Sequence, residues 1–269
     1  MPLTDYRRFG FEIEFNHSVT ELSQIVTDAV SNYGIHNIRT YHESSNEWNL
    51  KNEHTGSELT SPALYSSPEN FIRVGEIFDY IRRISREQEL SPITNRACGF
   101  HVHFEIKDFN DEEIRKLIET IQHFEPALFL IQPRSRSNSG YVRSIHSREN
   151  ILEDLTDHYD AFNFCRYSFP DRATCEFRYA ASTIRRKKIN NWIQLLLFLV
   201  ESSKENIDLA PYESNIIGLC SFIRNTNLTK KNKWLSERRK DKIVEFINTR
   251  NEQLYPVTQE NTECVSELN

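Results

Sequence analysis

Strict alternation of apolar and polar residues from Phe9 to Phe15 is the sequence feature that most constrains the fold. Successive side chains of a β-strand point to opposite faces, so this alternation predicts a strand whose aromatic face is turned to a core. Glu12 and Glu14 would share the other face, with their backbones about 7 Å apart. Two carboxylates at that spacing repel each other unless water or bound cations separate them.

Two later segments show the same alternation and place further charged side chains on one face. The polar face of residues 98–106 would hold His101, His103 and Glu105. The polar face of residues 174–179 would hold Glu176 and Arg178. Each segment alone could be an ordinary solvent-facing strand with a surface salt bridge. If the three strands lie in one sheet, however, their polar faces converge, and the combined charge favours hard cations and a phosphate-like anion.

Two other stretches carry charges that would complete such a site. Glu58 follows a turn at Gly56, and Glu53 lies just upstream. Residues 126–148 contain no acidic residue but include Arg134, Arg136, Arg143 and Arg148. This basic stretch could be a solvated loop. Beside an acidic metal cluster, it could instead supply the counter-charges that nucleotide phosphates require.

The order of the predicted elements indicates an α+β fold with a mainly antiparallel sheet. Hydrophobic spacing predicts helices at residues 20–32, 68–88, 110–124, 148–159, 185–197, 216–223 and 234–254. Further strands are predicted at residues 48–51 and around residues 162 and 175. Only 7 of the 269 residues are glycine, and neither the P-loop nor the dinucleotide-binding glycine pattern occurs. A bound nucleotide would therefore depend on side chains and metal.

We expect a single domain over residues 1–255, sheet-rich to residue 184 and helical from residue 185, with a disordered acidic tail at residues 256–269. The polar start of the chain argues against a signal peptide, and the longest apolar run, residues 195–200, is too short to span a membrane. Five widely spaced cysteines without a CxxC pair predict reduced thiols and a cytoplasmic location. The net charge of -6 gives no general attraction to nucleic acid.

Four of these segments, in order along the chain, resemble the amidoligase family. This family is the branch of the carboxylate–amine ligase superfamily that is related to glutamine synthetase and glutamate–cysteine ligase. The matching segments are residues 10–14, residues 48–51 followed by 56–62, residues 98–103 and residues 175–178. The resemblance implies a curved, mainly antiparallel sheet of the glutamine-synthetase catalytic type, with flanking helices and a helical C-terminal extension.

The resemblance also implies ATP as the nucleotide, with Mg²⁺, or Mn²⁺ in its place, held by strand-borne carboxylates. One metal ion would be bound by Glu12, His101 and Glu176. Another would be bound by Glu14 and Glu58, with Glu53 as a contributor. His103 would lie near the nucleotide, and Arg178 would steady the transferred phosphoryl group. From the basic stretch, Arg134 and Arg136 are our candidates for binding the nucleotide phosphates.

Glu53 and Arg143 would join Arg178 as catalytic residues on this interpretation. The chain departs from the family at Glu53-His54-Thr55, where the family has an aspartate followed by small hydroxyl residues.

The implied reaction is a ligation in two steps. ATP phosphorylates a substrate carboxylate, and an amine then displaces phosphate to give an amide. The substrates would be small-molecule or peptide carboxylates and amines, such as amino acids and peptides, with no nucleic acid or membrane partner. Two other hypotheses stay open, a metal-dependent hydrolase that uses His101 and His103, and a non-catalytic protein that binds nucleotide or peptide on the same fold. The sequence leaves the oligomeric state open.

Overall fold

The computed structural model describes residues 6–33, 38–39, 47–137, 140–146, 148, 157–164, 173–228, 235 and 237–256. The strands are β1 (Arg8–Phe15), β2 (Ile38–Arg39), β3 (Trp48–Glu53), β4 (Gly56–Thr60), β5 (Leu64–Tyr65), β6 (Gly99–Glu105), β7 (Phe162–Asn163) and β8 (Thr174–Ala181). The helices are α1 (Val19–Asn32), α2 (Pro68–Glu87), α3 (Asp111–Leu130), α4 (Arg134–Ser137), α5 (Arg186–Ser202), α6 (Ile216–Asn225) and α7 (Glu237–Leu254). The described part of the chain thus mixes helix and sheet, as predicted.

The described strands form one sheet in the order β2-β3-β4-β1-β6-β8-β7, and β5 pairs with β1 outside this path. Every strand pair is antiparallel except β2 with β3, which is parallel. The mainly antiparallel sheet that the sequence predicts is therefore confirmed. Its curvature of the glutamine-synthetase type stays a prediction.

The aromatic face of β1 lies at the centre of the hydrophobic core. The Phe11 ring lies 5.6 Å from the Trp48 ring of β3 and 5.8 Å from the Phe100 ring of β6. It also lies 5.8 Å from the Phe78 ring of α2, which covers this face. A shift of one residue along β1 would turn its two glutamates into this core, so the register is strongly fixed. The acidic side chains are thereby held on the opposite face of the sheet.

Helix α5 is the most completely buried helix in the described structure. Its side chains are buried without interruption from Trp192 to Ser202. It contacts α2, α3 and α7. A helix that is apolar on all sides needs such neighbours all round, so α5 holds the helical layer together.

The predicted helix starts agree with the caps in the structure. Asn110 and Glu113 form a capping box at the start of α3, and Ser67 caps α2 just before Pro68. Several helix ends differ from the predicted ranges. Helix α5 continues to Ser202 and α6 to Asn225, and α3 continues to Leu130 although Pro126 lies inside it. The buried side chains on either side of this proline outweigh the hydrogen bond that it cannot make. A single turn, α4, also forms in the basic stretch that the sequence predicts to be irregular.

Several expectations fall outside the described residues. These are most of the predicted helix at residues 148–159, the start of the last helix at residue 234, and the acidic tail from residue 257 onward. Cys98, Cys175 and Cys220 are free and buried, whereas the other two cysteines are also outside the described ranges. In the described ranges, no helix combines the length and the hydrophobicity needed to cross a bilayer. The cytoplasmic location and the single domain stay predictions.

Candidate active site

The strand register brings the predicted acidic and imidazole side chains to one face of the sheet. Directly opposed pairs on neighbouring strands are Glu12 with His101, His103 with Glu176, and Glu14 with Glu58. The three strands that alternate in the sequence, β1, β6 and β8, are therefore adjacent in the sheet. Their polar faces converge as predicted, and most of the side chains there are buried.

Glu12, His101 and Glu176 form the most compact group of ligand atoms on this face. His101 Nδ1 lies 3.5 Å from Glu12 Oε2 and 3.7 Å from Glu176 Oε1. One ligand atom from each residue lies within 4.8 Å of the other two, and all three residues are buried. Two carboxylates and one imidazole are a donor set that suits Mg²⁺ or Mn²⁺. The residues fit a divalent ion, and their role as its ligands stays a prediction.

The charges around this group keep both carboxylates in the ionised form that binds metal. Burial favours the protonated form of Glu12, but the charges and hydrogen bonds of His103 and His101 outweigh it and hold the pKa well below the usual value. His103 Nε2 lies 3.4 Å from Glu12 Oε1. Burial acts in the same direction on Glu176, and the two imidazoles and Arg178 again lower its pKa. An ionised pair of carboxylates at neutral pH follows from this arrangement.

A β-bulge aims Arg178 at the metal-binding group. Between the pairs Phe100–Ala180 and Val102–Phe177, β8 contains one more residue than β6. Arg178 Nη1 donates to Glu176 Oε1 at 2.8 Å and lies 3.3 Å from His101 Nδ1. The guanidinium therefore touches two of the three proposed ligands.

Among the described residues of the basic stretch, Arg136 is hydrogen-bonded to a residue of this cluster. Its side chain is buried, and its Nη2 donates to the backbone carbonyl of Arg178 at 2.9 Å. Burial lowers the pKa of Arg136 to about 10, with Glu14 opposing and Arg178 reinforcing the shift, so the group stays charged at neutral pH. The Nε atoms of Arg136 and Arg178 have no hydrogen-bond partner in the described structure. Two buried guanidinium donors of this kind favour an anion with several oxygens.

Gly99 leaves the space in which His101, Glu14 and Arg136 meet. Its N–H donates to Glu14 Oε2 at 2.8 Å. A Cβ atom at this position would lie 2.6 Å from His101 Nε2, 3.2 Å from Arg136 Nη2 and 3.3 Å from Glu14 Oε1. A side chain at residue 99 would thus push His101 or its neighbours out of place.

We expect Gly99→Ala to weaken Mn²⁺ binding by about 10–100-fold, because His101 must shift away from the added methyl group. The matched control is Gly140→Ala, since a Cβ atom at Gly140 meets nothing within 4 Å. Mn²⁺ titration followed by electron paramagnetic resonance measures the affinity, and circular dichroism reports the fold. Wild-type affinity in a folded Gly99→Ala protein would show that His101 is not a ligand.

Three residues predicted for the site have other surroundings in the structure. Glu53 lies at the exposed end of the β3–β4 hairpin, where its Oε2 accepts a hydrogen bond from the His54 N–H at 3.3 Å. Arg134 is exposed, with its guanidinium 5.3 Å from the ring centre of Tyr255. The ion pairs of Arg143 in the described structure are with Asp157 and Asp160. Roles for Glu53, Arg134 and Arg143 in catalysis or phosphate binding stay predictions.

Two further side chains on the polar face were not predicted from the sequence. Asn163 of β7 donates from Nδ2 to Glu176 Oε2 at 3.1 Å. Lys51 of β3 lies with Nζ 2.9 Å from Glu58 Oε1. The alternation from Trp48 to Lys51 could have predicted Lys51. It places Trp48 on the core face, so Lys51, three residues later in the strand, must lie on the opposite, polar face. A strand of two residues gave no comparable signal for Asn163.

Glu58 differs from the other two buried carboxylates. Burial and the charge of Glu12 raise its pKa, with Lys51 opposing this shift. Its Oε1 also accepts a hydrogen bond from Thr60 Oγ1 at 3.2 Å. Glu58 thus has donors from two neighbouring residues and lies outside the compact group of ligand atoms.

Comparisons with known proteins were made for sequence and for structure. Residues 5–160, more than half of the chain, match the family model described as "Putative amidoligase enzyme". None of the curated proteins compared with the chain matches it. Among solved structures, it is similar to a chain in the crystal structure of the complex between the prokaryotic ubiquitin-like protein Pup and its ligase PafA, with 8% sequence identity and a TM-score of 0.47. That similarity covers 93% of this chain and 65% of the other.

Proposed function

Because the chain belongs to the amidoligase family, we propose that it is an ATP-dependent carboxylate–amine ligase. The observation that carries this proposal is the pairing of a buried two-carboxylate, one-imidazole group with two arginines, Arg136 and Arg178, whose buried Nε donors have no partner in the described structure. The first group suits a divalent cation, and the second suits phosphoryl oxygens. A nucleotide triphosphate with its metal ion needs both.

Glu12, His101 and Glu176 would hold the metal ion, Mg²⁺ or Mn²⁺. When bound, the ion would neutralise the charge that develops on the transferred phosphoryl group. The chain prepares this site by keeping Glu12 and Glu176 ionised and by fixing Glu176 between Arg178 and Asn163. Ligands that are already oriented need no reorganisation when the ion arrives.

The remaining residues of the site would position the reactants. Arg178 and Arg136 would bind phosphoryl oxygens, and His103, beside Glu12, would lie near the nucleotide. A substrate carboxylate oxygen would attack the terminal phosphorus of ATP, and ADP would leave. The amine nitrogen would then attack the acyl carbon, lose a proton and expel phosphate, which carries away one carboxylate oxygen. This sequence needs no nucleophile from the chain, so catalysis is positioning and charge compensation.

We propose small molecules or peptides as the carboxylate and amine substrates, with amino acids and short peptides as the first compounds to test. Most of the polar face is supplied by strands that fall within the matched family segment, namely β1, β3, β4 and β6. Asn163, Glu176 and Arg178 lie beyond that segment. The proposed site therefore combines residues of the matched family segment with side chains of later strands, which the fold places beside them.

The test is to incubate the purified chain with Mg²⁺-ATP and pooled amino acids and peptides, and to measure ADP and product masses together. We expect ADP to form only with a productive pool, along with a product whose mass equals acid plus amine minus one water. Hydrolysis of a pool member without ATP would favour the metal-dependent hydrolase. Nucleotide binding with no ADP from any pool would favour a non-catalytic binding protein.

Replacement of Asn163 tests whether metal binding by Glu176 depends on the hydrogen bond that Asn163 donates to it. Asn163→Ala removes the amide that donates to Glu176 Oε2, so we expect Mn²⁺ affinity to fall by about 10–100-fold. The control is Asn190→Ala, which removes an amide that donates instead to the backbone carbonyl of Phe71. Calorimetric titration with Mn²⁺ measures both variants. Equal affinities for the two would show that metal binding does not depend on the hydrogen bond from Asn163 to Glu176.

A further inference from the structure

The second acidic pair of the site, Glu14 and Glu58, already has cations of the chain beside it. Lys51 Nζ lies 2.9 Å from Glu58 Oε1, and this carboxylate is buried. Glu14 accepts a hydrogen bond from the Gly99 N–H at 2.8 Å and lowers the cost of burying the charged Arg136. Each of the two carboxylates is thus compensated from within the chain.

The strand register makes the contact between Lys51 and Glu58 a fixed part of the fold. Lys51 is directly opposite Glu58 on β4, and Glu58 is directly opposite Glu14 on β1. The three side chains therefore form one row on the same face of the sheet, with the ammonium at one end. Neither Glu14 nor Glu58 belongs to a group of three ligand residues in the described part of the chain, where Glu12, His101 and Glu176 form such a group.

The charge balance of the cluster agrees with a single ion. Its four carboxylates are Glu12, Glu14, Glu58 and Glu176, and its three cations are Lys51, Arg136 and Arg178. Leaving the two imidazoles out of the count, the formal charges of these seven side chains sum to one net negative charge. One divalent ion would bring the cluster to one net positive charge, whereas a second would bring it to three before any nucleotide arrives. Repulsion of that size in a buried site disfavours the second ion.

We propose that Lys51 takes the place of a second divalent cation, so that the chain binds one metal ion in the absence of nucleotide. This inference rests on the metal site of the proposed function, and it departs from the two ions that the family resemblance implies. The ammonium is held covalently, so Glu58 stays compensated whether or not metal is present. Glu58 is thereby a partner of Lys51 rather than a metal ligand.

The experiment counts the Mn²⁺ ions bound by the full chain without nucleotide, using equilibrium dialysis with detection of free Mn²⁺ by electron paramagnetic resonance. We expect one ion in the wild type and two in Lys51→Met, because Glu58 then loses its cation and can bind metal beside Glu14. Lys51→Arg keeps the cation and should bind one ion. The double variant Lys51→Met with Glu58→Gln should return to one. Lys116→Met, which removes a half-buried lysine paired with Glu119 on α3, is the matched control and should bind one ion.

A further variant keeps the test decisive if Lys51→Met does not fold. Glu58→Gln alone should leave the count and the affinity for Mn²⁺ unchanged, whereas a loss of one ion or of affinity would make Glu58 a ligand and overturn the inference. Two ions in the wild type, or one ion in a folded Lys51→Met protein, would also overturn it while leaving the proposed ligase intact. No bound ion in the wild type would overturn both, because the metal site itself would then be absent.

Discussion

Glu12→Gln is expected to lower ATP-dependent turnover by about a thousandfold or more, a loss of roughly 4 kcal/mol of transition-state stabilisation. Glu12 lies at the centre of the cluster, with His101 Nδ1 at 3.5 Å and His103 Nε2 at 3.4 Å. Glutamine keeps the size of the side chain but removes the charge that a metal ion and both imidazoles require. The measurement is the rate of ADP formation with Mg²⁺-ATP and a productive substrate pool.

Glu105→Gln is the matched control for this variant. Glu105 ends β6 on the same polar face, but it is half-buried and pairs with Arg8 at 3.8 Å and Lys107 at 3.5 Å. We expect its turnover to remain near that of the wild type, because exposed ion pairs of this kind contribute little. If Glu12→Gln and Glu105→Gln were equally active, the cluster around Glu12 could not be the catalytic centre.

Glu125→Leu is expected to lower the free energy of unfolding by about 3 to 5 kcal/mol. The Glu125 carboxylate is buried within α3 and accepts hydrogen bonds from Ser144 Oγ and from the N–H groups of Ile145 and His146. It also accepts one from the Tyr179 hydroxyl at 2.9 Å. Leucine would leave the Ile145 N–H and the Tyr179 hydroxyl without this acceptor, and both residues are buried.

Urea denaturation followed by circular dichroism measures this effect, with Glu119→Leu on the exposed face of the same helix as the control. The control should change stability by less than about 0.5 kcal/mol. A loss below about 1 kcal/mol in Glu125→Leu would show that segment 144–146 and Tyr179 do not depend on this carboxylate. Because Tyr179 follows Arg178 in the bulge of β8, we also expect slower ligation in the leucine variant.

The sequence predicts the centre of the site because strand periodicity and burial reinforce each other. In β1, four apolar side chains alternate with polar ones, so burying the first set fixes where Glu12 and Glu14 point. The same reasoning places His101 and His103 on β6. These residues then come together as soon as the strands pair. An antiparallel sheet whose aromatic face is covered by helices provides that pairing.

The bulge in β8 and the contact from Asn163 could not be predicted in the same way. An extra residue in one strand depends on how two strands fit together, and the alternation of β8 alone contains no sign of it. Asn163 lies in a strand of two residues, which is too short to show a period. Both features depend on tertiary pairing rather than on local sequence.

The arginines of the basic stretch show a further limit of sequence patterns. A run without acids indicates local charge, but it does not identify partners elsewhere in the chain. Arg143 and Arg148 pair with the buried Asp160, which lies outside that run. Arg136 is directed to the backbone of Arg178, because the helical turn α4 packs against β8. Arginines that lie close together in the sequence therefore have different partners in the structure.

The most direct test of the proposed ligase follows one oxygen atom. The substrate pool is labelled with heavy oxygen in its carboxylates, and the phosphate released with Mg²⁺-ATP is examined by mass spectrometry. An acyl phosphate requires the released phosphate to carry one heavy oxygen from the substrate, with ADP formed in equal amount. Phosphate that takes its new oxygen only from water would show simple ATP hydrolysis and would contradict the proposed ligation.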